Sequence, residues 1–97
     1  MTPKFKARFQ KDFKRCNTHE RERITEAVQQ ICNVFQIHQA PEGLGLKKLF
    51  SREGLGAIFE ARATIAIRIV FVVDAETMTF AMIGNHEDVR RFIKSFR

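Results

Sequence analysis

Phe5, Ala7 and Phe9 alternate with Lys4, Lys6 and Arg8, a period of two that predicts a short strand with one wet face. The period then lengthens. Phe9, Phe13 and Cys16 are spaced for one side of a short helix, after which Asn17 is a cap candidate with Glu20 three residues on. Ile24, Ala27, Val28, Ile31 and Phe35 mark a longer helix whose outer face carries Arg21, Arg23, Glu26, Gln29 and Gln30. The two helices are expected to pack as a hairpin. Pro41, Gly43 and Gly45 stop the second one and predict a surface connection bearing Lys47 and Lys48. The β-branched and aromatic segment "AIFEARATIAIRIVFVVD" is too long for one ordinary strand and divides into a hairpin turning at Thr64 to Ala66. A further turn at Asp74 to Thr77 leads to a strand over Met78 to Ile83. Glu87 and Asp88 then open a final helix, where acids suit the positive end of the dipole, with Val89, Phe92, Ile93 and Phe96 as its buried side. The order β-α-α-β-β-β-α predicts one α+β domain over residues 1–97, an antiparallel sheet with a helical hairpin packed on one face and the other face partly open.

The polar residues on the strands attract notice next. Glu60 and Arg62 leave the same face of their strand, and a three-residue loop of Thr64, Ile65 and Ala66 sets Arg62 opposite Arg68. That register gathers Ile67, Ile69, Phe71 and Val73 on the core side. Two guanidiniums facing each other repel unless water, an anion or a carboxylate lies between them. One reading is a phosphate clamp, because arginine's planar fork gives two parallel donors and keeps its charge at neutral pH. The other is a surface network in which Glu60 neutralises the pair. His86, where strand gives way to helix in "IGNHEDV", is either a cap or a proton carrier, since an imidazole exchanges protons near neutral pH. His19 and His38 have no such neighbours and are expected on the surface.

Composition narrows the classes of function. Seventeen Lys and Arg against eleven Asp and Glu give a net charge of +6, which favours a polyanion, an acidic protein or an anionic membrane as partner. Lys4, Lys6, Arg8, Lys11, Lys14 and Arg15 crowd the start of the chain, with only Asp12 to oppose them. Ten Phe without Trp or Tyr suits a dry core. Cys16 and Cys32 fall on apolar helix faces as reduced thiols. With neither a secretory succession nor an apolar run of about 20 residues, a cytoplasmic location away from membranes is expected. No metal-ligand spacing occurs, and "GLGLKK" lacks the Gly-Lys-Ser/Thr end of a phosphate loop, so neither metal nor nucleotide cofactor is indicated.

Taken together, "LKKL", "IFEARATIAIRIVFVVD" and "MTFAMIGNHEDVRRFIKSF" resemble the RelE/ParE superfamily of bacterial toxin-antitoxin systems, in particular its RelE-like branch. The resemblance implies the toxin of a type II system, a ribosome-dependent endoribonuclease that cuts mRNA in the aminoacyl site without metal. It implies a cognate antitoxin whose acidic segment wraps the domain. By position, Arg68 in "IRIVF" matches the active-site arginine and Arg62 in "FEARA" a second basic position. His86 in "GNHED" matches the residue that protonates the departing 5′-oxygen. Lys47 and Lys48 match the basic connection that grips the messenger, and Arg90 stands where some members carry tyrosine. Glu60 lies where some relatives use lysine, which leaves it a supporting role. The ParE-like branch, which shares the fold but poisons DNA gyrase by binding, and a basic binding module without activity are the competing expectations.

Overall fold

Strand formation at the N-terminus is cut short by the helix that follows. The computed structural model describes residues 1–37 and 43–95. Strand β1 (Thr2–Phe5) is followed directly by α1 (Ala7–Arg15), so the alternation predicted to Phe9 yields four residues of strand before the helical period takes over. Helix α2 (Thr18–Ile37) starts as its sequence dictates. Asn17 Oδ1 accepts the Glu20 N–H at 2.8 Å and Glu20 Oε1 accepts the Asn17 N–H at 2.9 Å, a reciprocal cap that satisfies two otherwise open donors.

Where a surface connection was expected, residues 47 to 52 form a strand, β2 (Lys47–Arg52). It pairs antiparallel with β3 (Gly56–Arg62), a register shift between Lys48 and Phe50 breaking the ladder. The remaining elements are β4 (Arg68–Val73), β5 (Thr77–Gly84) and α3 (His86–Lys94). The five strands lie in the order β1-β5-β4-β3-β2. All neighbours are antiparallel except β1 and β5, so the sheet is mixed rather than wholly antiparallel. Both edges resist further pairing, β1 by its shortness and β2 by its lysines and its bulge.

A row of phenylalanines crosses the sheet beneath the helical hairpin. Phe59, Phe71, Phe80 and Phe5 occupy paired positions on β3, β4, β5 and β1. Their successive ring centroids are 5.4, 5.6 and 5.1 Å apart. From α2, Phe35 stands edge-on to Phe59 and Phe71; from α1, Phe9 tilts onto Phe5 and Phe80. Such pairs add about 0.5–1.5 kcal/mol each beyond the area they bury, which explains why this core is built of Phe. Cys16 and Cys32 pack against the same core as free thiols, and burial pushes both above the ordinary thiol range.

The opposite face is not bare. Ile58, Val70, Val72 and Met82 form a second apolar cluster with Val89 of α3, joined by Phe92 and Ile93. Strand β4 is therefore buried on both sides, which accounts for its unbroken apolar run "IVFVV". Phe96 and His38 lie outside the described residues. Among the described residues no helix is long and apolar enough to cross a membrane.

Candidate active site

The hairpin between β3 and β4 closes with the predicted register. Ala63 N–H donates to Ile67 O at 2.9 Å, and Thr64 Oγ1 accepts the N–H groups of Ala66 and Ile67 at 3.2 and 3.0 Å, so the side chain of the first loop residue organises the turn. Arg62 stands opposite Arg68 and Glu60 opposite Val70. Ile67, Ile69, Phe71 and Val73 all join the helix-covered core, which turns the even-numbered residues to the other face.

The two arginines differ in their surroundings. Arg68 Nη1 lies 2.5 Å from Glu60 Oε1, with the arginine side chain 23% exposed and the carboxylate side chain 8%. Glu60 is the one buried charged residue among those described. Taking that carboxylate out of water is tolerable because the guanidinium accompanies it. Arg62 is exposed and makes no ion pair among the described residues. Its N–H donates to Leu44 O at 2.6 Å, and its side chain lies along Gly45. A Cβ at Gly45 would come within 2.9 Å of Arg62 Nε, and Gly45 has φ +59°, so glycine there serves both the turn and the arginine. Arg62 also lines a polar cleft of about 130 Å³ with Arg23, Glu26 and Gln30 of α2.

Lys47 and Lys48 do not act as a pair. Lys47 stands opposite Glu60 and Lys48 opposite Phe59, so the two exposed side chains leave opposite faces of β2. The next strand boundary holds His86. Gly84 is opposite Arg68 at the end of β5, and His86 is the first residue of α3, exposed. The capping role belongs to its neighbour: Asn85 Oδ1 accepts the Asp88 N–H at 2.8 Å and Asp88 Oδ2 accepts the Asn85 N–H at 2.9 Å. That leaves the imidazole free of the cap. The Asn85 N–H, and after it the Arg91 guanidinium 2.6 Å from Oδ1, hold the Asp88 carboxyl below the usual carboxylate range. Arg90, one turn beyond His86 on the same side of α3, is exposed and reaches Glu87 at 3.2 Å. His19 is exposed near the start of α2, as expected.

A contact of Asp12 was not read from sequence: its Oδ2 accepts the N–H of Ile83 at 3.0 Å, joining α1 to the end of β5. The one hint was an acid alone in a basic run, beside the apolar stripe of its helix.

No protein-family model matches the sequence, and no curated protein matches it either. The fold does match solved structures. RelE in the RelB-RelE antitoxin-toxin complex of Methanococcus jannaschii is 21% identical at a TM-score of 0.63, covering 92% of this chain and 96% of that one. For the RelE-RelB complex of Pyrococcus horikoshii OT3 the values are 15%, 0.67, 87% and 92%. For YafQ of E. coli they are 12%, 0.61, 90% and 94%.

Proposed function

We propose that this chain, which has the RelE/YafQ-type toxin fold across most of its length, is the toxin of a type II toxin-antitoxin pair and a metal-independent endoribonuclease that cuts mRNA in the ribosomal aminoacyl site. The observation that carries the reading is Arg62 opposite Arg68 on adjacent strands, with Gly84 opposite Arg68 and His86 two residues further on. In the reaction the ribose 2′-oxygen attacks the neighbouring phosphorus and loses its proton to solvent, while the bond from phosphorus to the 5′-oxygen breaks. Charge gathers on the non-bridging oxygens. Arg68 and Arg62 stabilise it with preorganised donors, and His86 gives a proton to the departing 5′-oxygen. Glu60, buried and ion-paired to Arg68, fixes the guanidinium in place. Lys47 and Arg90 draw the messenger backbone in at close range, and Lys48 adds to the field from the other face.

The test is cleavage on purified, mRNA-programmed ribosomes. His86→Ala and Arg68→Ala should each lose about 10²-fold or more in rate; undiminished cutting by both rejects the site. The neutralisation of Arg68 by Glu60 favours a second reading, a gyrase-poisoning toxin that acts by binding. Growth arrest with translation intact and gyrase-DNA breaks trapped would select that one. For either toxin the partner is an antitoxin with an acidic segment, in keeping with the charge of +6 and with the antitoxin complexes of the similar structures. Its complex should cover Arg62, Arg68 or His86.

A further inference from the structure

Strand β5 has neighbours on both sides only for its first half. Thr77 to Phe80 pair with β1, and Lys6 N–H donates to Phe80 O at 2.9 Å as the chain turns away into α1. Beyond that point β5 has β4 on one side and, among the described residues, no strand on the other. The Ile83 N–H, on a buried residue, would be left without an acceptor there; the Asp12 carboxylate fills the place at 3.0 Å. A charged acceptor makes this stronger than an ordinary ladder bond. Arg8, one turn earlier on α1, has Nε 3.6 Å from the same Asp12 oxygen and its guanidinium carbon 5.4 Å from the centre of the Phe92 ring on α3. Helix α1 thus grips the chain just before Gly84 and touches the helix that begins with His86.

We propose that Asp12 is a positioning residue for the candidate active site: by holding Ile83 it fixes the end of β5, and with it the spacing between Arg68 and His86. The inference rests on the ribonuclease reading above. Asp12 touches no reacting atom, and its effect comes through geometry, where a displacement of about 1 Å at the reacting groups can cost 10²-fold.

The experiment combines ribosome-programmed cleavage with amide hydrogen exchange on the full chain. Asp12→Ala should lower kcat about tenfold or more, leave KM unchanged and speed exchange at Ile83. Asp12→Asn keeps an acceptor oxygen at the same distance and should restore both kcat and protection; Asp12→Glu, whose oxygen sits one methylene further out, should fall between. Wild-type kcat in Asp12→Ala with Ile83 exchanging fast overturns the positioning role, and a protected Ile83 in that variant overturns the tether itself. If the alanine variant does not fold, equal kcat for the Asn and Glu variants overturns the proposal, and a graded loss supports it. If the wild-type protein itself cuts no messenger, the ribonuclease reading fails on its own. The geometric proposal is then decided by NMR of the Arg68 and His86 side chains, which should shift in Asp12→Glu and not in Asp12→Asn; unshifted signals in both overturn it.

Discussion

The two faces of the β3–β4 hairpin use neighbouring residues of the same strands for opposite purposes. On one face Phe59, Ala61, Ile69 and Phe71 lie in a dry core beneath two helices. On the other, apolar Ile58, Val70 and Val72 meet α3, and then, toward the hairpin tip, the residues become Glu60, Arg62 and Arg68. The change from apolar to charged within one face separates what holds the domain together from what is available for chemistry. Because strand side chains alternate, a substitution at one position can strike the first set while its neighbour strikes the second.

That separation can be broken deliberately. The largest effect should come from Phe71→Ala, which opens a cavity in the middle of the phenylalanine row: a loss of about 3–5 kcal/mol, read as a drop in melting temperature of at least about 12 °C for a domain of this size. A drop of only a few degrees would mean that the row is not the centre of stability. Next is Glu60→Ala, which strips Arg68 of its partner. Since Arg68 keeps contact with water, the expected cost is about 2 kcal/mol by denaturant titration rather than the full penalty of a buried lone charge. Replacing both by Met should recover most of it, whereas a double variant as unstable as the single one would show that the ion pair is not what Glu60 contributes. Gly45→Ala should cost about 1 kcal/mol, because alanine resists a φ of +59° and the Arg62 side chain must move aside.

The smallest effect concerns pH. The folded state lowers the Asp88 carboxyl below its ordinary range, so its contribution to stability is complete above the unfolded carboxylate pKa and is lost as pH falls through the folded one. Acid unfolding curves of Asp88→Asn should lack that component and lie parallel to wild type above it. A stability difference between wild type and Asp88→Asn that persists undiminished to the acid end would contradict the assignment.

Much of this arrangement was legible in the sequence. The cross-strand register of Arg62 and Arg68 follows from requiring Ile67, Ile69, Phe71 and Val73 to share a core side, and the cap at Asn17 follows from side-chain chemistry three residues apart; at the start of α3 the cap is Asn85 with Asp88 rather than His86. Strand β2 was hidden because "KKLFSR" carries the lysines of a protected edge and follows a stretch broken by Pro41, Gly43 and Gly45. The cover that α3 gives the second face was signalled by "IVFVV", a run with no polar alternation, and its meaning depended on knowing where α3 folds back. From sequence alone Glu60 reads as a surface neutraliser of both arginines; in the fold it is buried and pairs with Arg68. Asp12 and Ile83 are 71 positions apart, a separation over which no local pattern carries information.

The most direct test of the account takes the Arg62→Ala, Arg68→Ala double variant, together with Phe71→Leu as a core control, and compares messenger cleavage on programmed ribosomes with the melting temperature of each. The double variant should melt lower, because Arg68→Ala leaves the Glu60 carboxylate buried without its partner. It should yet stay folded at the assay temperature and lose cleavage by at least about 10²-fold, while the control also melts lower and still cuts. A double variant that cuts as fast as the unmodified protein would contradict it.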